Sequence, residues 1–226
     1  METWITEGRI IDPWNRIDSR LNLVLENGKV KTLTTEAPPA ESRVIHAAGK
    51  VVCPGFLDVH MHEAPVGDLA DMEHSIFGCM LRMGVTMGLG GNCGENVLPP
   101  DEYFEKVREG LPISLALLAG HGAAREAAGF PDRYQQLTPE QVHQVTAVLK
   151  EWLEEGCFGV SYGIRYYPGT TRQELMETAE LCQKDHLLTA AHVRDDADYI
   201  FDSIREFLEP GWAYGLKMQV SHLGSM

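Results

Sequence analysis

The stretch Pro54-Gly55-Phe56-Leu57-Asp58-Val59-His60-Met61-His62 places two histidines one residue apart. On an extended strand alternate side chains share a face, so His60 and His62 are expected to point the same way, about 6–7 Å apart. Two imidazoles at a strand end can chelate one divalent cation. Asp58 falls on the same face, where it can orient a ligand from behind. Two more histidines close apolar runs: His192 in Thr189-Ala190-Ala191-His192, and His222 in Gln219-Val220-Ser221-His222. Each alone is more often a hydrogen-bonded polar residue than a ligand; four at strand ends are hard to attribute to chance. Cys93, in Gly90-Gly91-Asn92-Cys93-Gly94, has glycine neighbours that let a thiolate approach a metal, and a metal lowers the thiol pKa. Gly88 to Gly94 does not fit G-x-G-x-x-G and no Lys-Ser/Thr follows, which excludes a nucleotide loop. Cys53, Cys79, Cys157 and Cys182 are expected as small core residues.

The elements that must carry these residues are legible in outline. The first fifty residues read as β: Leu21, Leu23 and Leu25 alternate, Asn27-Gly28 supplies a type I′ turn, and Val30 and Leu33 return. Val44-Ile45 and Val51-Val52 read as further short strands. From Pro54-Gly55 onward, strands at 56–61, 85–89, 113–118, 158–162, 187–191 and 216–221 alternate with helices at 69–82, 100–108, 139–155, 171–184 and 197–208. Thr138-Pro139-Glu140-Gln141 and Thr171-Arg172-Gln173-Glu174 are capping boxes. Residues 120–137 read as a long loop on the rim that bears the histidines. Strand ends recur about every thirty residues, the length of one βα unit. Six such units favour a (β/α)8 TIM-type barrel, whose strand C-termini converge on one rim, over a doubly wound sheet. A closed barrel needs two more units than these residues supply, so the sequence reads as the N-terminal part of a longer protein. The domains expected are 1–53, part of a small N-terminal β-sandwich, and 54–226, the first six βα units of the barrel.

Composition narrows the function further. The 226 residues carry 19 Lys+Arg against 33 Asp+Glu, a formal net charge of −14. That balance argues against nucleic acid and against an anionic membrane surface as partner. No apolar run is long enough to span a bilayer and no basic-then-apolar leader stands at the N-terminus. Five irregularly spaced cysteines fit a reduced, cytoplasmic protein better than a disulfide framework.

Taken in order, Pro54–His62, Gly84-Val85-Thr86 with Gly91-Asn92-Cys93-Gly94, Gly120-His121-Gly122 with Arg125, Gly163-Ile164-Arg165-Tyr166 with Pro168-Gly169, His192-Val193-Arg194-Asp195 and Ser221-His222 resemble the motifs of N-acyl-D-amino-acid deacylases (D-aminoacylases) of the amidohydrolase superfamily. The H-x-H motif is superfamily-wide; G-N-C-G is much more specific to this branch. The resemblance implies a metal-dependent hydrolase barrel with a β-sandwich appendage, binding one or two zinc ions. His60, His62 and Cys93 would form one site, and Cys93, His192 and His222 the other, with Cys93 bridging in place of the carboxylated lysine of many relatives. The fourth strand, 158–162, contains no lysine, consistent with that substitution. The implied reaction is hydrolysis of a carbon–nitrogen bond in a small linear amide by metal-activated water. Tyr166 matches a tyrosine that donates to the developing oxyanion. His121 is a candidate for the substrate pocket or a structural histidine, and Arg194 for a substrate carboxylate or for loop support.

Two departures stand out. The superfamily's proton-shuttling aspartate comes from the end of the eighth strand, beyond these residues, so the chain as it stands is expected to be catalytically incomplete. The lysine that relatives often place two residues past the sixth-strand histidine, for the substrate carboxylate, is Gly224 here. Alternatives are a cyclic-amide hydrolase or deaminase of the same superfamily, or a non-catalytic metal-binding barrel. The expected partner is a small-molecule amide, and a homo-oligomer is compatible with the sequence.

Overall fold

Alternating apolar residues and tight turns fold the start of the chain into seven strands: β1 (Glu2–Thr6), β2 (Arg9–Asp12), β3 (Ile17–Arg20), β4 (Asn22–Glu26), β5 (Lys29–Thr34), β6 (Arg43–His46) and β7 (Val51–Val52). In this computed structural model, which describes residues 2–65, 67 and 71–225, they lie in one of two units, Met1–Gly55 and Phe56–Met226. One sheet has the order β5-β4-β1-β6 and another β3-β2-β7. The β4–β5 hairpin turns at Asn27 and Gly28, with φ of 52° and 75°, the left-handed pair a type I′ turn requires. Trp4, Ile10 and Val24 are buried in this unit. Cys53 is exposed, which corrects its expected place in a core: it follows the two-residue β7 in irregular chain.

The second unit alternates strands and helices: β8 (Phe56–Asp58), α1 (Ile76–Arg82), β9 (Val85–Gly90), α2 (Pro100–Lys106), β10 (Ser114–Leu117), β11 (Ala119–Gly120), α3 (His121–Ala127), α4 (Pro139–Glu154), β12 (Gly159–Gly163), α5 (Arg172–Glu180), β13 (Leu188–His192), α6 (Ile200–Tyr214) and β14 (Lys217–Val220). All the pairings are parallel, in the orders β10-β9-β8 and β11-β12-β13-β14. β10 and β11 flank Leu118, whose N–H donates to the Gly90 carbonyl at 3.0 Å, so one stretch of chain serves both sheets. Gln219 on β14 donates its side-chain amide to the Val59 carbonyl just past β8, at 3.3 Å, so the row curves until its last strand faces its first.

Helix positions follow from capping and amphipathicity. Thr138 and Thr171 each accept from the backbone N–H three residues on, and Gln141 and Glu174 reach back to the cap N–H, so both predicted capping boxes are present. α4 buries Val142, Val145, Leu149 and Trp152 along one face. Four readings are corrected. The expected loop at 120–137 contains α3, because an Ala-rich turn after a strand forms helix without a capping residue to announce it. α6 continues through Pro210 to Gly215 rather than stopping at 208; a proline reads as a stop although packing carries the helix past it. The described part of the helix expected at 69–82 begins at Ile76, where Ser75 caps it, while Leu69 and Ala70 lie outside the described residues. Cys79 sits on the exposed face of that short helix, not in the core.

Candidate metal centre

β8 ends at Asp58, so His60 and His62 stand beyond the strand rather than alternating along it. Asp58 Oδ1 accepts from the His60 backbone N–H at 3.1 Å, an Asx-type turn that presents the imidazole. Asp58 thus acts on the backbone, not on a ring nitrogen. The Met61 N–H donates to the Leu89 carbonyl at 3.2 Å and ties this segment to β9. The two rings are 5.7 Å apart and nearly perpendicular.

After β9 the chain turns through three left-handed residues, Gly91 (φ 69°), Cys93 (φ 56°) and Gly94 (φ 77°). Such a turn leaves backbone groups that need partners. Asn92 Nδ2 donates to the Met61 and Leu89 carbonyls at 3.3 and 2.7 Å. Gly91 N–H donates to Glu63 Oε2 at 2.8 Å, and Gly94 N–H to Ser161 Oγ at 3.0 Å. A Cβ on Gly94 would fall 2.6 Å from the Gly163 nitrogen, and one on Gly163 would collide with the Cys93 carbonyl oxygen. The glycines therefore let the turn seat directly on the end of β12, with Cys93 held against it.

β13 delivers His192 as its last residue. β14 stops at Val220, the Ser221 N–H donates to the Ala191 carbonyl at 2.9 Å, and His222 takes a left-handed φ of 39°. Together these termini bring Cys93 Sγ 3.7 Å from His60 Nε2 and 3.8 Å from His222 Nε2. The His192 and His222 rings are 4.3 Å apart, and those of His60 and His222 5.2 Å. In each of two trios, His60–His62–Cys93 and Cys93–His192–His222, one ligand atom per residue lies within 4.8 Å of the others. Cys93 is common to both.

The cluster's electrostatics suit a cation. Burial, reinforced by Glu95, pushes the Cys93 thiol up to about 11. Burial, and then neighbouring His222, lowers His60 and His192, which favours neutral imidazole. His60 Nδ1 and His192 Nε2 are buried with no hydrogen-bond partner among the described residues. Asp196 Oδ2, at 3.6 Å from that Nε2, is too distant for a hydrogen bond. Tyr166 is partly exposed, and its hydroxyl lies 3.2 Å from His192 Nδ1. Burial, then Cys93, raises the phenol, which stays protonated.

For His121 and Arg194, each open between substrate and scaffold in the sequence, the contacts are to protein. His121 is fully buried, and its Nε2–H donates to Glu174 Oε1 at 3.0 Å, so its ring is a structural group beneath the site. Arg194 is spent on protein: a fork onto Glu206 at 2.8–3.2 Å and single bonds to the Pro168 and Thr170 carbonyls at 2.6 and 2.7 Å. Sequence reasoning missed Glu63, Asn92, Ser161 and Asn96, which hold the Cys93 turn and the end of β11; Asn96 Oδ1 accepts from Gly120 N–H at 2.7 Å. The only available signal was the number of unpaired N–H groups that a left-handed turn leaves. A cavity of about 340 Å³ opens beside His62 toward Arg133 and Tyr167.

No family model matches the chain. Among curated relatives, it is 24% identical to a D-aminoacylase of Alcaligenes xylosoxydans xylosoxydans over 95% of this chain and 49% of the relative. It is 28% identical to that organism's N-acyl-D-glutamate deacylase, over 82% and 42%. It is 44% identical to a dihydroorotase of Geobacter sulfurreducens, over 86% and 43%. The chain thus spans about half the length of the curated relatives it matches. Among solved structures, the N-acyl-D-glutamate deacylase of Bordetella bronchiseptica, complexed with zinc and a phosphonate mimic of the tetrahedral intermediate, superposes with a TM-score of 0.85 at 26% identity, over 96% of this chain and 50% of that one. The chain thus shares the α/β metal-dependent hydrolase fold of these proteins and is similar in sequence to N-acyl-D-amino-acid deacylases and to dihydroorotases.

Proposed function

We propose that the protein is a zinc-dependent amidohydrolase cleaving a small linear amide of the N-acyl-D-amino-acid type. The observation that carries this reading is the pair of three-residue ligand sets sharing Cys93. Zinc–sulfur and zinc–nitrogen bonds of about 2.3 and 2.0–2.1 Å at a tetrahedral angle separate sulfur from nitrogen by roughly 3.5–3.6 Å. The Cys93–His60 and Cys93–His222 separations of 3.7 and 3.8 Å are slightly longer, within the shift that closing on an ion would require. The partnerless His192 Nε2 fits a ligand awaiting a cation, and the His60 nitrogen turned to Cys93 is Nε2. In this reading His60, His62 and Cys93 hold one zinc, and Cys93, His192 and His222 hold a second when two are present. The parallel strands β8–β14, with β10 and β11 forming one stretch, belong to the first six units of a (β/α)8 barrel formed by 54–226, and 1–53 belongs to a β-sandwich. A cytoplasmic setting suits five free cysteines, one of them a ligand.

Bound zinc supplies a water that ionises near neutral pH and a Lewis acid for the scissile carbonyl. The chain's own residues supply the rest. The neutral imidazoles leave their lone pairs available, and Cys93 gives up its proton to bind. Tyr166, protonated and beside His192, is placed to donate to the oxyanion. The partner is a small-molecule amide.

The test begins with metal analysis after exhaustive dialysis. Wild type should retain one or two zinc ions, and Cys93→Ala far less. Cobalt substitution should give a sulfur-to-metal charge-transfer band that Cys93→Ala abolishes. Absence of retained metal in wild type would refute the reading. In a substrate panel, turnover of cyclic amides but not of N-acetyl-D-amino acids would overturn the substrate assignment alone.

A further inference from the structure

The carbonyls of Pro168 and Thr170 belong to the loop between β12 and α5, which also carries Tyr166. Both accept from Arg194, two residues past His192, at 2.6 and 2.7 Å. Glu206 on α6 grips the same guanidinium by two oxygens at 2.8–3.2 Å, which fixes the plane of its fork. From inside, the fully buried Arg125 approaches Thr170 Oγ1 at 3.5 Å and donates to the Gln135 carbonyl at 2.7 Å. The Gly169 N–H donates to the Arg133 carbonyl at 3.0 Å, so the segment Arg125 anchors is the one the loop rests on. Tyr166 returns its hydroxyl to His192 Nδ1 at 3.2 Å. The contacts form a closed circuit: His192 to Arg194 along the chain, Arg194 to the loop, and Tyr166 back to His192.

We propose that Arg194 is a positioning residue that fixes Tyr166 against His192 and thereby gives the Nδ1–H of a metal-bound His192 a fixed acceptor. The inference rests on the metal-ligand reading of His192. His192 Nε2 faces the cluster without a hydrogen-bond partner and is the atom available to a cation. A neutral imidazole binding through Nε2 carries its hydrogen on Nδ1. That Nδ1–H then donates to Tyr166 Oη, which leaves the phenolic O–H free to point at substrate. Without the clamp Tyr166 loses its fixed place, Nδ1–H loses its acceptor, and the O–H loses its aim.

The experiment is nitrogen-15 NMR of the histidine side chains in the zinc-loaded protein, with Arg194→Gln and Glu206→Gln as variants. Wild type should show His192 with zinc on Nε2 and a slowly exchanging Nδ1–H that shifts in Tyr166→Phe. Arg194→Gln should keep its zinc yet lose the slow exchange, at least ten-fold, and Arg194→Lys should restore it only in part. Glu206→Gln, which leaves the arginine in place but loosens its fork, should move in the same direction by less and guards against misfolding of Arg194→Gln. An Nδ1–H unchanged in both variants would overturn the proposal while leaving the zinc reading intact. A wild type that takes up no zinc would instead remove the reading beneath it.

Discussion

Cys93 is the residue on which both ligand sets depend, and its burial predicts how metal affinity varies with pH. Its thiol is raised to about 11, whereas His60 and His192 are lowered, so at neutral pH the thiol proton is the one a metal must displace. Zinc affinity should therefore rise by about ten-fold per pH unit between roughly pH 7 and 9, one proton released per thiolate formed. Competition with a chelator across that range measures it. The slope should vanish in Cys93→Ala, and a flat wild-type profile would mean that the cysteine is not a ligand. Tyr166→Phe removes the hydrogen-bond partner that His192 Nδ1 has among the described residues. Removing such an outer contact typically lowers metal affinity about 10–100-fold. Isothermal titration with zinc should show a loss in that range with unchanged stoichiometry.

At the scale of elements, the ligands come from strand ends and from the turns that follow them, and the turns are the more exacting part. The Cys93 turn fits against β12 only because Gly94 and Gly163 lack side chains. Gly163→Ala should push the Cys93 carbonyl aside, at a cost of about 1–3 kcal/mol from overpacking. Urea denaturation gives the stability, and the cobalt charge-transfer band, expected to weaken or shift, reports the thiolate's displacement. Thr138→Ala probes an element remote from the cluster: it removes the α4 cap and should cost about 1 kcal/mol while leaving metal content unchanged. The contrast separates loss of stability from loss of site geometry. The strand–helix rhythm was legible in the sequence because a βα unit has a characteristic length and both capping boxes are local. α3 and the second half of α6 were not, since neither announces itself with a cap and Pro210 argues locally against the helix that packing sustains.

At the scale of the whole second unit, a buried charge group ties helices to the floor of the site. Glu174 on α5 accepts from His121 at 3.0 Å, lies 3.7 Å from Arg125, and all three are buried. Burial alone would raise the Glu174 carboxyl, but the His121 hydrogen bond and the Arg125 charge outweigh it and hold it below its ordinary 4.5. A lowered folded-state pKa means that this stabilisation is fully present above about pH 4.5 and is lost as pH falls through the depressed value. Denaturation midpoints should therefore drop steeply between pH 5 and 3 in wild type and less steeply in Glu174→Ala. That variant leaves the Arg125 charge and the His121 N–H without their acceptor and should already be weaker at pH 7 by about 3–5 kcal/mol.

Residue types and spacing by themselves singled out the candidate donors His60, His62, Cys93, His192 and His222, the alternation of strands and helices, and the motifs that resemble the deacylases. Those are local properties: a ligand's chemistry and a helix cap are written in adjacent residues. Only the tertiary structure decided that Cys93 stands within reach of both trios, that Asp58 shapes a turn instead of touching a ring, and that His121 and Arg194 serve the scaffold. Each of those outcomes turns on a partner 12 to 129 positions away for the side chain in question, or on where a strand ends. A side chain with several available hydrogen bonds takes whichever partner the fold brings within about 3 Å, and sequence alone does not encode that distance.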